Sequence, residues 1–175
     1  MTVADSTDMP RGERGFSLVE LLIVVAIIGI MAAIAVPGLA HARIAANEGS
    51  AIAAMRAISS SQQAYSTKCN GHATTLPELK AAGNFLSPDL TGGITVSKTG
   101  YSVTMAPGLG NTPLAAPPTG CTNTGTAYYA SAAPLTASAG TRGFATDEPG
   151  TIWQDTSGAV PTQPFAAAGT VSVIQ

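Results

Sequence analysis

Residues 14–37 read RGFSLVELLIVVAIIGIMAAIAVP, and this stretch decides how the rest of the chain is arranged. From Leu21 to Val36 no side chain carries a charge or a strong hydrogen-bonding group. A helix of about 20 mostly apolar residues can cross a bilayer, because its backbone groups find all their partners within the helix. The stretch from Phe16 to Leu39 therefore predicts a membrane-spanning helix.

The residues at the start of this stretch resemble those of a known family. Gly15-Phe16-Ser17-Leu18-Val19-Glu20, preceded by Arg14 and followed by an unbroken apolar run to Pro37, is similar to the N-terminus of type IV pilins and type II secretion pseudopilins. The resemblance implies that a membrane peptidase cuts between Gly15 and Phe16. It also implies that the new N-terminal Phe16 is methylated and that Glu20 is the fifth mature residue.

Glu20 is the ionisable residue within the apolar run. A carboxylate in hydrocarbon is costly and marks a functional position with a partner. If helices of several copies pack side by side, the α-amino group of Phe16 on a neighbouring copy is a natural counter-charge. One such pair would set the axial register between copies, so Glu20 and Phe16 are expected to direct filament assembly. The alternative is a single-pass anchor with an incidental glutamate near the interface.

Residues 1–15 are short and polar and are expected to form a cytoplasmic leader. Arg11 and Arg14 precede the apolar run, which fits the tendency of basic residues to stay on the cytoplasmic side. A rival interpretation is an ordinary signal peptide, because Ala40-His41-Ala42 matches the small-x-small pattern before a cut at Arg43. The apolar run is longer than the ~7–15 residues of such signals and contains Glu20, which argues against this rival.

A helical pattern continues beyond Pro37. Apolar and large residues recur at spacings of 3, 3, 4 and 3 on one helix face, at Ile52, Met55, Ile58, Gln62 and Tyr65. One helix is therefore expected over residues 16–68, with a kink near Pro37, whose ring removes a hydrogen bond. The polar residues expected on exposed faces of its second half are Arg43, Asn47, Glu48 and Arg56.

The second half of the chain is rich in glycine, proline, serine and threonine, which favours short strands and turns. Alternating patterns predict a hairpin over residues 94–105 and another over 143–155. Residues 126–132 are expected to add a strand, and 171–174 to form either a closing strand or a loose end. The predicted fold class is α+β, a long N-terminal helix, transmembrane and then amphipathic, packed on a small antiparallel sheet of about four strands. Pilins have a similar layout.

This interpretation divides the chain into four parts: a leader (1–15), a hydrophobic transmembrane and assembly helix (16–40), its amphipathic continuation (41–68) and a β-rich head (69–175). The head contains both cysteines, Cys69 and Cys121. An even pair in an exported domain with a small core predicts a disulfide, and two free thiols are the alternative.

Residues with catalytic or metal-binding chemistry are few. His41 and His72 follow no paired-histidine ligand spacing, and no catalytic motif is present, so the chain is not expected to be an enzyme or to need a cofactor. Asp147 and Asp155, with Glu148, form an acidic group that makes them weak calcium candidates, as some secretion pseudopilins bind calcium near their C-terminus. A net charge of −2 argues against a nucleic-acid binder.

The resemblance implies a structural subunit of a type IV pilus-like filament that serves adhesion, motility or DNA uptake. Its partners would be further copies of itself, a prepilin peptidase and methylase, and an inner-membrane assembly platform with its ATPase. The chain would cross the inner membrane once before assembly and lie in an extracellular or periplasmic filament afterwards. The alternatives are a major pseudopilin of a type II secretion system and a secreted or membrane-anchored binding module.

Overall fold

The computed structural model describes residues 15–174, so the predicted leader lies outside the described residues except for Gly15. The described chain forms two compact units, of which the first ends at Leu39 and the second begins at Ala40. Helix α1, Leu18–Cys69, contributes to both units. Its bounds agree closely with the expected 16–68. The helix includes Pro37, and the kink predicted there stays a prediction.

The first unit is an apolar helix without a core of its own. Every residue from Gly15 to Leu39 is exposed. Among the residues that the structure describes, α1 is the helix that is long and apolar enough to cross a membrane. Exposed apolar surface of this extent is unfavourable in water, so the helix needs lipid or other apolar helices around it.

The second unit contains a six-stranded antiparallel sheet with the order β2-β3-β5-β6-β7-β8 and a two-stranded ribbon of β1 and β4. The strands are β1 His72–Ala73, β2 Thr95–Lys98, β3 Tyr101–Pro107, β4 Thr124–Gly125, β5 Tyr128–Pro134, β6 Gly143–Asp147, β7 Ile152–Asp155 and β8 Val171–Val173. Helix α2, Leu76–Ala81, and a 3-10 turn, Pro88–Leu90, lie between β1 and β2. The α+β class is confirmed.

The expected number of about four strands was too low. Residues 171–173 form an edge strand paired with β7, not a loose end. The ribbon strands have two residues each. Two residues are too few to show an alternating pattern of apolar and polar side chains. Both predicted hairpins are present. In the first, Thr99 and Gly100 have φ of 45° and 79°, the left-handed values that a tight two-residue turn requires.

The core lies between one face of the sheet and the second half of α1. The expected helix stripe is confirmed, since Met55, Ile58, Gln62 and Tyr65 are fully buried and Ile52 is partly buried. The buried polar member is satisfied, because the Gln62 side chain donates to the Ala73 carbonyl at 2.7 Å and accepts from its N–H at 3.0 Å. The helix thereby holds strand β1 in place.

Residues 156–170 lie across the opposite face of the sheet. The Tyr129 hydroxyl donates to the Pro161 carbonyl at 2.6 Å, and the Gln163 amide donates to Asp147 Oδ2 at 3.2 Å. The Phe165 ring stacks on Trp153 with centroids 5.5 Å apart. This segment, which we call the outer strap, gives the sheet a second covering layer without any regular secondary structure.

Candidate functional site

The N-terminus of α1 is built around Ser17 and Glu20. The helix begins at Leu18, so Ser17 is the N-cap and Glu20 is the third helical residue. Glu20 Oε2 accepts a hydrogen bond from the Ser17 backbone N–H at 3.1 Å, and the Leu21 N–H donates to the Ser17 carbonyl at 3.2 Å. This is one of the two reciprocal bonds of a capping box.

The capping bond gives Glu20 a local role besides the intermolecular role expected from the sequence. The Ser-x-x-Glu spacing is itself a known N-terminal signature, so sequence reasoning could have found it. A carboxylate in the first turn also complements the positive end of the helix dipole. Glu20 therefore helps α1 to begin immediately after Phe16 and Ser17.

The surface beside this N-terminus is apolar on all sides. Phe16 is 77% exposed and Leu18 is 74% exposed. Gly15 is exposed as well, and an added Cβ at this position would meet nothing within 4 Å. The Gly15–Phe16 peptide bond is therefore accessible, and the helix that follows offers van der Waals surface but few polar groups to a partner.

In the head, Glu48 is buried, and the expectation of an exposed Glu48 was wrong. Its residue surface is 5% exposed. Arg142 donates from Nε and Nη2 to Glu48 Oε2 at 2.8 and 2.6 Å, and Thr141 donates from its N–H and Oγ1 to Oε1, both at 3.0 Å. Burial acts to raise the pKa of Glu48, but the bonds from Arg142 and Thr141 outweigh it and lower the pKa. The carboxylate is thus held ionised.

Other polar residues extend this arrangement. Arg142 Nη1 donates to Gln154 Oε1 at 2.8 Å, and Gln154 Nε2 donates to Ser172 Oγ at 3.1 Å. Because Gln154 is on β7 and Ser172 on β8, the chain of bonds connects α1 to the far edge of the sheet. Of the other residues expected on exposed helix faces, Arg43 and Arg56 are exposed, and Asn47 is half-buried against the Ala139 carbonyl.

The disulfide between Cys69 and Cys121 is present, as predicted. Both cysteines are buried, and the bond ties the end of α1 to the loop before β4. Glu78 on α2 supports the same loop. It is 3% exposed and accepts from the Thr122 N–H and Oγ1, both at 2.6 Å, and from the Tyr65 hydroxyl at 3.2 Å. Sequence reasoning gave Glu78 no role, and no local pattern marks it.

The calcium candidates do not form a common site. In the β6–β7 hairpin Asp155 pairs with Gly143, so Asp147 lies at the opposite end of the hairpin. Asp155 Oδ1 accepts from the Ser157 N–H at 2.8 Å, and this bond lowers the pKa of Asp155. Within residues 15–174 no group of three or more histidine, cysteine, aspartate or glutamate side chains is placed to hold a metal ion. Asp147 and Asp155 therefore do not lie together around one ion, and calcium binding at either residue stays a prediction.

The two histidines lie apart from these carboxylates. His41 is exposed on α1, whereas His72 is half-buried against the Tyr128 ring, with ring centroids 5.3 Å apart. Burial lowers the pKa of His72. Neither position suggests a ligand role.

An exposed apolar helix with a capped N-terminus, followed by a disulfide-bonded α+β head, is consistent with the pilin fold. Residues 10–36 match the family model described as the prokaryotic N-terminal methylation motif. A stretch of 73 residues is 37% identical to the type IV wide pilus major component PilA4 of Thermus thermophilus. Both matches agree with the resemblance to type IV pilins that the N-terminus indicated.

The match to this relative is partial. It covers 42% of the chain and 56% of the length of the relative. No solved structure matches the chain significantly. The likeness therefore supports family membership, and the fold of the head is described by the structure alone.

Proposed function

We propose that this chain is the precursor of a structural subunit of a type IV pilus-like filament. The observation that carries the proposal is the helix of the first unit, which is exposed along its whole length and preceded by the Gly15-Phe16 pair with Glu20 in the first turn. In a membrane, lipid covers this apolar surface. In a filament, the helices of neighbouring copies replace the lipid and form a common apolar core.

Processing is the first step of the proposed function. A prepilin peptidase cuts between Gly15 and Phe16 and methylates the new amino group of Phe16. The new α-amino group then lies close to Glu20 in sequence, and in the filament the amino group of one copy pairs with Glu20 of a neighbour. An assembly platform and an ATPase move the subunit from the inner membrane into the filament.

The head forms the outer part of the filament in this proposal, and it serves adhesion, motility or DNA uptake. The main alternative is a major pseudopilin of a type II secretion system, which shares the same N-terminus. The Cys69–Cys121 bond together with long surface fibres would support the pilus. Calcium-dependent folding of the head would support the pseudopilin.

The N-terminal sequence and intact mass of the mature chain from its native host test the proposal. A methylated start at Phe16, on chains recovered from sheared surface fibres, is the expected result. A start at Arg43 would show an ordinary secreted protein and overturn the proposal. An intact Met1 on chains that never enter a fibre would also overturn it, in favour of a membrane anchor.

A pair of glycine variants sharpens this test. An added Cβ meets nothing within 4 Å at either Gly15 or Gly29, so neither substitution disturbs the described structure. Gly15→Val is expected to block the cut because it changes the residue that the peptidase recognises. Gly29→Val is the matched control and is expected to be processed normally.

A further inference from the structure

A pocket of about 340 Å³ opens at the turn between β6 and β7, on the face of the sheet that the outer strap covers. Asp147 and Glu148 line it from the turn, Trp153 from β7, and Phe165 and Gln163 from the outer strap. The pocket lies entirely within the head.

One wall of the pocket is aromatic. The Trp153 and Phe165 rings are stacked with centroids 5.5 Å apart and an interplanar angle of 30°, and Tyr129 packs against Phe165 at 6.1 Å. Trp153 and Phe165 are both half-buried, so part of each ring still faces the pocket. The faces of aromatic rings carry negative electrostatic potential and attract cations, with tryptophan the strongest.

The other wall carries two neighbouring carboxylates. Asp147 Oδ2 accepts from Gln163 at 3.2 Å, and Glu148 Oε1 accepts from the Tyr128 N–H at 2.7 Å. Each bond fixes the orientation of its carboxylate but uses only part of its capacity, since a carboxylate can accept at about four lone-pair sites. Both groups can therefore accept further hydrogen bonds from a ligand.

The negative charge of this wall has no counter-charge among the described residues that line the pocket. Among the described residues that line the pocket none is basic. Burial raises the pKa of Asp147, and the nearby Glu148 adds to this effect. The charge of Glu148 acts to raise the pKa of His72, but burial outweighs this effect and lowers the pKa. His72 is therefore not a counter-charge for the carboxylates.

We propose that this pocket binds an alkylammonium group, with the cation between the carboxylates of Asp147 and Glu148 and its alkyl groups against Trp153 and Phe165. An anion would be repelled by both carboxylates, and a neutral ligand would leave their charge uncompensated. The group has two possible sources, a lysine side chain on another protein molecule or a free quaternary ammonium compound such as choline. Both present a positive charge next to alkyl groups, and lysine in addition donates N–H hydrogen bonds.

The chain has one tryptophan, Trp153, so its fluorescence reports directly on the pocket. The full-length chain in non-ionic detergent is titrated at neutral pH and constant ionic strength with choline and with N-acetyl-lysine methylamide. The neutral controls are dimethylbutanol, the carbon isostere of choline, and N-acetyl-norleucine methylamide. A saturable change with at least one cationic probe, absent with its neutral partner, is expected.

The same titration with variants tests the role of the carboxylates. Combined Asp147→Asn and Glu148→Gln substitutions keep the acceptor oxygens but remove both charges, and are expected to raise the half-saturation concentration by about tenfold or more. Asp89→Asn, at an exposed carboxylate outside the pocket, is the matched control and should leave it unchanged.

The outcomes separate the ligand sources and decide the proposal. A response to the lysine derivative alone assigns the pocket to a protein side chain, and a response to choline alone assigns it to free quaternary ammonium compounds. Equal responses to charged and neutral partners would overturn the proposal, as would the absence of saturation with both cations. This test needs no variant, so it stands even if the double substitution prevents folding.

Discussion

Glu48 and Arg142 lie 94 residues apart in the chain, yet Arg142 Nε and Nη2 both donate to Glu48 Oε2, at 2.8 and 2.6 Å. The Glu48 side chain is 6% exposed and that of Arg142 is 36% exposed. Glu48 is therefore much more buried than Arg142. Without the arginine, the buried carboxylate would lose its counter-charge. The pair joins α1 to the residue immediately before β6.

Arg142→Met is expected to lower the free energy of unfolding of the head by about 2–3 kcal/mol, because it leaves the buried Glu48 carboxylate with only the Thr141 donors. Trp153 fluorescence during urea unfolding of the full chain in detergent measures the change. Lys98→Met is the control, since the Lys98–Asp89 pair is exposed on both sides, and it should not move the midpoint. Equal midpoints for the two variants would contradict the role given to Arg142.

Acid is expected to weaken the same contact. The pKa of Glu48 is lowered in the folded head from its ordinary value of 4.5, so its contribution to stability is complete above about that pH. The contribution is lost as the pH falls through the lower, folded pKa. Asp147 has the opposite effect on the pH dependence of stability, because its pKa is raised in the folded head. The difference in unfolding free energy between wild type and Glu48→Gln isolates Glu48, and it should shrink below about pH 4.5. A difference that stays constant would show that Glu48 does not titrate as inferred.

Loss of the disulfide is expected to destabilise the head substantially. The bond joins residues separated by 52 positions, for which the chain-entropy relation gives about 4 kcal/mol. Replacing both Cys69 and Cys121 by Ala should lower the urea midpoint accordingly. Adding a reductant after unfolding should bring wild type to the same midpoint as this variant. A variant as stable as oxidised wild type would mean that the bond does not restrict the unfolded chain.

Glu78→Gln is expected to cost about 2–3 kcal/mol, because the amide NH₂ of glutamine would face donors that now bond to the carboxylate. Thr122 supplies two of these donors and Tyr65 the third. Glu148→Gln is the matched control, since its amide oxygen can still accept the Tyr128 N–H. The effect of Glu78→Gln on the urea midpoint should clearly exceed that of Glu148→Gln.

Two substitutions at Glu20 separate its capping role from its proposed charge pairing. Glu20→Gln keeps a capping-box residue but removes the charge, whereas Glu20→Ala removes both. If the charge pairs with the amino group of Phe16 on a neighbour, both variants should enter fibres about tenfold less than wild type or worse, a loss of roughly 1.4 kcal/mol or more per subunit. The fraction of each variant in sheared fibres, with wild type present, is the measurement. Normal entry of Glu20→Gln would leave capping as the sole role.

Features encoded by a local pattern were predictable from the sequence. The apolar run, the stripe from Ile52 to Tyr65 and the two hairpins each follow from a spacing that spans only a few residues. The turn at Thr99-Gly100 is of the same kind, because its chemistry is contained in two positions. The disulfide followed from the number of cysteines and the expected compartment.

Features that depend on distant partners were not predictable. Glu48 was expected on an exposed helix face, and no local pattern around Glu48 or Arg142 indicates that the two side chains meet. Glu78 and Thr122 are 44 residues apart, and no local pattern indicates that they form a hydrogen bond. The outer strap shows no regular spacing of hydrophobic residues, because separate single residues such as Phe165 contact the sheet.

The outer strap gives the head a surface whose sequence can change independently of its framework. Ala166 to Ala168 are exposed, and the strap is held from Pro161, Gln163 and Phe165. Exposed loop segments of this kind accept substitutions and insertions that a paired strand would not. A short peptide inserted between Ala166 and Ala167 should therefore be displayed without disturbing the sheet. The sequence of the exposed part of the strap can in the same way vary while the sheet beneath it stays unchanged.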